Sequence, residues 1–337
     1  MTGAELAAPI EASPRSTAGP RSPRPIVPIS YSTASMGGRL ALHLAAGEGD
    51  VAARRAMELA AGRVQRWAAR LTRHSETSEL SALNADPAVE VTVGPTLAAA
   101  LRAGQLAAEE SEGLVDISLL DARLAAEGLA GAPLTAAFES TRRTTWPTAW
   151  SLAPGRRGSA VVERPAGLRF DLGGVGKGWI ADRALGLLSR WPSVVVDADG
   201  DIAVRAAPGR VWEIGVDDPR APGASLAVLR LAAPPAVPGR WGVATSGVSI
   251  HRWIVDGRPT HHLIDPRTGR PAATDVVQAT VVAGTALRAE ALAKAAVIAG
   301  SAAGFALLER ARVLGAVLLT DRGETLALPQ TLLLLES

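Results

Sequence analysis

The stretch FDLGGVGKGWIADRALGLL, residues 170–188, joins an apolar run ending in an acid, a turn of spaced glycines around one lysine, and a helical pattern. That lysine is one of only two in the chain, Lys177 here and Lys294 far downstream, in a sequence that otherwise relies on arginine. A strand, a glycine turn and a helix start in succession expose backbone N–H groups at the positive end of a helix dipole, which suits phosphate. The stretch is not a P-loop, because Asp171 takes the place of the first glycine and Gly178 the place of the magnesium-binding hydroxyl. Nor does its spacing match the G-x-G-x-x-G dinucleotide fingerprint. Phosphate binding and a tight turn that needs positive φ both remain open.

A second constellation is VATSG (243–247), followed fifteen residues after Gly247 by His262 in HHLIDPRTG (261–269). Thr245 and Ser246 offer hydroxyls, His262 a base and Asp265 a carboxylate, the parts of a Ser-His-Asp hydrolase. The serine lacks a G-x-S-x-G elbow, however, and residues this close in sequence also suit a hairpin. Asp265-Pro-Arg-Thr-Gly is a turn signal first. The run DADGD (197–201) starts like a calcium loop, but Ile202 and Pro208 occupy its obligatory glycine and glutamate positions, which rejects an EF-hand. Glu290 and Lys294 stand four apart in RAEALAKAA (288–296), the spacing of an ordinary helical ion pair.

These residues need a scaffold, and 337 residues with 47% hydrophobics can bury a full core. The formal charge of +2 is spread among interspersed acids and bases, so nucleic acid is not an expected partner. Zero cysteine excludes disulfides, cysteine-ligated zinc, iron–sulfur clusters and a thiol nucleophile. Residues 1–30, rich in proline and without an apolar core of signal-peptide length, are expected to be a disordered tail ahead of one domain over 31–337. The long apolar stretch near 291–319 is interrupted by Lys294, Glu309, Arg310 and Arg312, so no membrane span is expected and the location expected is cytoplasmic.

RLALHLA (39–45) alternates as a strand should, and Gly47 to Asp50 supply a turn and a helix cap. Helical spacing then runs from Val51 to Leu71, Pro95 opens a second helix to about Glu112, and 113–129 reads as a loop leading into a third. From about 145 the pattern is strand-rich, with SAVVE, LRFDL, SVVVDA, DIAVRA, VWEIGV, SLAVLRL, WGVAT, SIHRWIV and HHLI between Gly, Pro and Asp turns. A helix starts at the glycine motif, another runs from about Thr285 to Ala299, and a further helix and a strand pair close the chain. Helices early, strands in the middle and a helical return predict α+β, with mixed or antiparallel sheets and flanking helices.

In this order SMGG (35–38), SELSALN (78–84), GLVDISLL (113–120), DLGGVGKGWIADRA (171–184), DADGDI (197–202), ATSG (244–247), HHLIDPRTGRPA (261–272) and RAEALAKAAVIAG (288–300) resemble the ApbE-like family, the FAD:protein FMN transferases, over nearly all of 31–335. The resemblance implies a single large α+β domain with an FAD cleft. It implies cleavage of the FAD pyrophosphate and transfer of FMN to a threonine of an acceptor flavoprotein, with release of AMP. An FAD-binding protein without transferase activity and a magnesium-dependent FAD pyrophosphatase are the alternatives.

The same resemblance implies roles by position. Asp171 and Lys177 lie beside FAD, with Met36, His74, Leu114, Val115, Asp116 and Ile264 against its flavin or adenosine portions. His262 takes the proton of the incoming threonine, for which an unperturbed pKa of about 6.5 is suited, and Asp265 orients it. Mg2+ is expected at Gly174 and Glu290. Many relatives carry an aspartate and, four residues on, a threonine as magnesium ligands where this chain has Glu290 and Lys294. An ammonium cannot ligate a metal, so either Glu290 binds magnesium with fewer protein ligands or Lys294 supplies positive charge directly. Gly38 likewise stands where a threonine is usual.

Overall fold

The computed structural model describes residues 24–25, 28–47, 49–129, 149–221 and 223–334. The N-terminal part comprises strands β1 (Arg24–Pro25), β2 (Ile29–Ser35) and β3 (Gly38–Leu44), then helix α1 (Val51–Leu71) and helix α2 (Glu79–Ala85). Strand β4 (Glu90–Val93), helix α3 (Pro95–Glu110), helix α4 (Leu120–Ala126), strands β5 (Ser151–Pro154) and β6 (Ala160–Glu163), and helix α5 (Gly176–Leu187) follow. Strands β7 (Val194–Ala198), β8 (Asp201–Ala206), β9 (Arg210–Asp217), β10 (Ser225–Ala232) and β11 (Gly239–Gly247) lead to the short pairs β12 (Arg252–Val255) with β13 (Arg258–His261) and β14 (Ile264–Asp265) with β15 (Arg270–Pro271). The chain continues through β16 (Val276–Ala283), α6 (Ala286–Ala299), α7 (Ser301–Arg310), β17 (Gly315–Thr320) and β18 (Thr325–Ala327).

The centre is an eight-stranded sheet in the order β18-β17-β16-β11-β8-β7-β3-β2, every neighbouring pair antiparallel. Period-2 alternation divides its side chains between two faces. Leu40, Leu42, Leu44, Val194, Val196 and Ala203 face a core built with α1, α3, α5 and the start of α6. Val195, Val204, Ala206, Val243 and Val282 face the other way, against Trp212, Ile214 and Leu229 of β9 and β10. The architecture is the α+β arrangement the sequence predicts, helices on one face and a small mixed sheet on the other, β1 pairing parallel with β9.

Local signals act where they are expected. Asp50 caps α1 by accepting from the Ala53 N–H at 2.9 Å, and Pro95 sits in the first turn of α3. Helix α2, which the polar run 74–84 does not announce, is capped by Ser78 accepting from the Ser81 N–H. LRFDL is not a strand. The Phe170 backbone is claimed instead by the Asn84 side-chain amide, whose Oδ1 accepts from Phe170 N–H at 2.7 Å and whose Nδ2 donates to Phe170 C=O at 2.8 Å. In SIHRWIV only Arg252–Val255 is strand, and HHLI is divided between β13 and β14. Within the expected 1–30 tail, Arg24–Pro25 pairs with Arg210–Val211 and Ile29–Ser30 already belongs to β2; the remainder of that tail, apart from Pro28, lies outside the described residues. No helix among the described residues is long and apolar enough to cross a membrane.

Candidate active site

Two hairpin tips build one wall of a cleft. β2 turns into β3 through Met36 and Gly37, with φ of 58° and 80°, and β7 turns into β8 through Asp199 and Gly200, with φ of 58° and 91°. Paired positive φ values are the two-residue turn whose twist matches a hairpin. Because β3 pairs with β7 and β8 with β11, both tips lie at the same sheet end as Thr245 to Gly247. A side chain at Gly38 would put Cβ 2.3 Å from the Asp199 carboxylate, so Asp199 in this position requires glycine there.

The opposite wall is the glycine turn before α5. Asp171 is anchored by its N–H to Ile117 C=O at 2.7 Å, and its Oδ1 accepts from Gly173 N–H at 3.0 Å. The chain then enters α5, whose positive dipole end faces the cleft region occupied by Gly173, Gly174 and Lys177. The cleft has a volume of about 780 Å³. Met36, His74, Leu114, Val115, Asp116, Asp171, Gly174, Lys177, His262 and Ile264 all line it, so residues separated by more than two hundred positions converge on one cavity.

Two expected residues do not line it. Asp265 is buried in its own turn, its Oδ1 accepting from Arg267 N–H and Nε at 2.9 Å and its Oδ2 from Nη2 at 2.8 Å. It therefore serves the DPRTG turn, and the expectation that it orients His262 is corrected. The group that holds the His262 segment is Arg123, whose Nη1 donates to His262 C=O at 2.7 Å. Glu290 lies behind the floor with its side chain fully enclosed. Its Oε2 accepts from Gly178 N–H at 2.8 Å and its Oε1 from Lys294 Nζ at 2.8 Å.

The floor carries both lysines. Lys177 Nζ donates to Asp199 C=O at 3.0 Å and forms an ion pair with Asp201 Oδ2 at 3.1 Å. Burial alone would lower its pKa, but the attraction of Asp201, Glu290 and Asp199 and the bond to Asp201 raise it overall. Asp201 is pushed up to about 7 by burial and then by the charge of Glu290, against the pull of Lys177 and Lys294. His262 goes the other way. Burial, then the cations Arg123 and Lys294, bring it down to about 2, and its Nδ1 is buried without a hydrogen-bond partner among the described residues.

Arg73 and Arg123, which motif reading does not single out, also line the cleft. Glu127 Oε1 accepts from Arg73 Nη2 at 2.5 Å and from Arg123 Nε at 2.6 Å, and Arg123 lies over the Trp253 ring. Adjacency of Arg73 to His74 was the available sequence signal. The cleft thus offers four cationic side chains, a neutral imidazole and a helix N-terminus, a set that can hold a diphosphate and accept a proton near it.

The oxygen donors do not fit Mg2+. Each Glu290 oxygen already accepts a hydrogen bond, and no group of three or more His, Asp or Glu side chains placed to hold a metal occurs among the described residues.

The sequence and the fold both have counterparts among known proteins. The chain is 35% identical over 156 residues to an FAD:protein FMN transferase of Treponema pallidum, covering 42% of this chain and 41% of that one. It is 31% identical over 128 residues to an FAD:protein FMN transferase of Salmonella typhimurium, covering 36% and 35%. The matched stretch thus spans about two fifths or less of these relatives. The fold matches the crystal structure of the ApbE protein from Thermotoga maritima with a TM-score of 0.76 at 23% identity, covering 92% of this chain and 100% of that one. It matches the apo flavinyl transferase ApbE of Pseudomonas stutzeri with 0.72 at 21%, covering 92% and 98%. The ApbE family pattern extends over residues 36–318, well over half of the sequence, and the chain belongs to the ApbE family.

Proposed function

We propose that this chain is an FAD:protein FMN transferase. The observation that carries the reading is the meeting of the glycine turn with Lys177, Lys294 and His262 in one cleft of about 780 Å³. FAD is the substrate. Its diphosphate lies toward the α5 N-terminus and the lysines, and its ring systems lie against the apolar positions Met36, Leu114, Val115 and Ile264 and beside His74. Curated relatives named FAD:protein FMN transferase support the assignment.

In phosphoryl transfer the protein chiefly positions the reactants and neutralises charge. The threonine oxygen of an acceptor flavoprotein attacks the FMN-side phosphorus, the new P–O bond forms as the P–O bond to AMP breaks, and His262 takes the hydroxyl proton. At about 2 the imidazole is neutral, with a lone pair free but a weak appetite for a proton. Two diphosphate charges in the same cleft offset the cations Arg123 and Lys294 and raise that appetite, although burial still opposes it. The substrate's own charge thus works in favour of His262 as the base.

The test is incubation of purified protein with FAD and a flavoprotein domain carrying an acceptor threonine, read by mass spectrometry and AMP release. Covalent FMN with stoichiometric AMP is expected. AMP with free FMN and no adduct would assign a pyrophosphatase instead, and intact FAD would leave a flavin-binding protein.

A further inference from the structure

The chain's only two lysines end on one cleft floor, each fixed by a buried carboxylate. The stem of Lys294 runs beneath the glycine turn, its Cδ 3.8 Å from the place a Cβ on Gly174 would occupy. Its charge acts on both His262 and Asp201. The ammonium therefore lies within electrostatic reach of the base, the glycine turn and the second lysine pair at once.

We propose that Lys294 is the resident cation of this cleft: its ammonium, seated on Glu290, takes the diphosphate charge that a divalent ion would otherwise take, and the site works without a metal. The inference rests on the reading of the cleft as an FAD site.

Three features lead to it. First, a magnesium ion bound to Glu290 Oε1 at the roughly 2.0–2.1 Å its coordination demands would have to share that oxygen with an ammonium 2.8 Å away or displace it. Displacement would also place a divalent charge beside the freed Lys294. Second, the other Glu290 oxygen is committed to Gly178 N–H where α5 and α6 cross, so releasing it would disturb the turn that binds the diphosphate. Third, neighbouring oxygens already face other groups. Asp201 faces Lys177 at 3.1 Å, and Thr245 Oγ1 shares a hydrogen bond of 2.8 Å with Thr280 Oγ1. A tethered ammonium has three N–H donors. One is directed to Glu290, which fixes the group while leaving it able to donate to phosphate oxygens.

The experiment measures FAD affinity by flavin fluorescence, and AMP release with an acceptor, for the wild-type chain in EDTA and in magnesium. Both quantities are expected to be the same in the two buffers. Lys294→Thr should lower FAD affinity about ten- to a hundredfold, the worth of one charge-assisted hydrogen bond, and magnesium should then improve binding in the variant alone. The wild-type comparison needs no variant to fold. FAD binding or AMP release that occurs only with magnesium overturns the inference and leaves the FAD site intact. FAD that binds in neither buffer overturns both. Metal-free FAD binding with no AMP in either buffer supports the resident cation and removes the transferase reading.

Discussion

The Gly178 N–H and the Glu290 Oε2 meet at 2.8 Å, tying the first turn of α5 to α6. The approach is close enough that a Cβ on residue 178 would lie 2.7 Å from Ala286 C=O and 2.9 Å from the same carboxylate oxygen. Through this contact the glycine turn, Lys177 and Lys294 hold one fixed relation, and the cleft floor is part of the helix packing.

Gly178→Ala should therefore lose stability and substrate together. Inserting a methyl group where backbone stands opposite typically costs about 1–3 kcal/mol, readable as a lower denaturant midpoint. FAD affinity should fall with it, because the helices can separate only by moving the turn. A variant with normal midpoint and normal affinity would show that the crossing tolerates a side chain.

His262→Asn should bind FAD like the wild type and transfer FMN more slowly by about a hundred- to ten-thousandfold, the usual loss of a general base. Single-turnover rates at saturating FAD separate the two effects. A variant with a full transfer rate would leave His262 a lining residue only.

The pH dependence of stability contains two opposed contributions. Asp201, raised from 3.8 to about 7, contributes stability that is full below 3.8 and is lost as pH rises through about 7. His262, lowered from 6.5 to about 2, contributes stability present above 6.5 and lost as pH falls toward 2. Between roughly pH 4 and 6.5 the slopes oppose each other. Asp201→Asn should accordingly leave a chain whose stability climbs more steeply with pH in that window, and His262→Asn one whose stability falls with pH. Urea unfolding of both variants at stepped pH measures the two signs, and parallel profiles would contradict the assignment.

Much of this was readable because local physics and tertiary context agree. The Asp50 cap, the Pro95 helix start and the alternation of residues 39–45 follow from short-range preferences that packing reinforces. Phe170 shows why LRFDL was not readable: a side chain 86 positions away replaces the ladder that its alternation predicts. The site follows the same rule. Its glycines, Lys177 and His262 are visible as residue types in motifs, whereas Arg73 and Arg123 gain meaning only when Glu127 and the His262 carbonyl come to meet them. Asp265 was legible as a turn residue of DPRTG, and the structure keeps it there, on Arg267, rather than in the orienting role that the resemblance implied.

Lys177 belongs to both scaffold and site, and pH can separate the two roles. Lys177→Met leaves Asp201 buried without its cation, but a carboxyl that already titrates at about 7 can escape the cost by keeping its proton. The variant should thus be nearly as stable as the wild type at pH 6 and clearly less stable at pH 8.5, where the acid must either hold its proton against the solution or ionise unpaired. Adding Asp201→Asn should restore stability at the higher pH. It should not restore FAD affinity, which falls about ten- to a hundredfold in both variants because one of the two ammoniums assigned to the diphosphate is lost. Recovery of affinity along with stability in the double variant would mean that Lys177 acts on FAD only by supporting the fold.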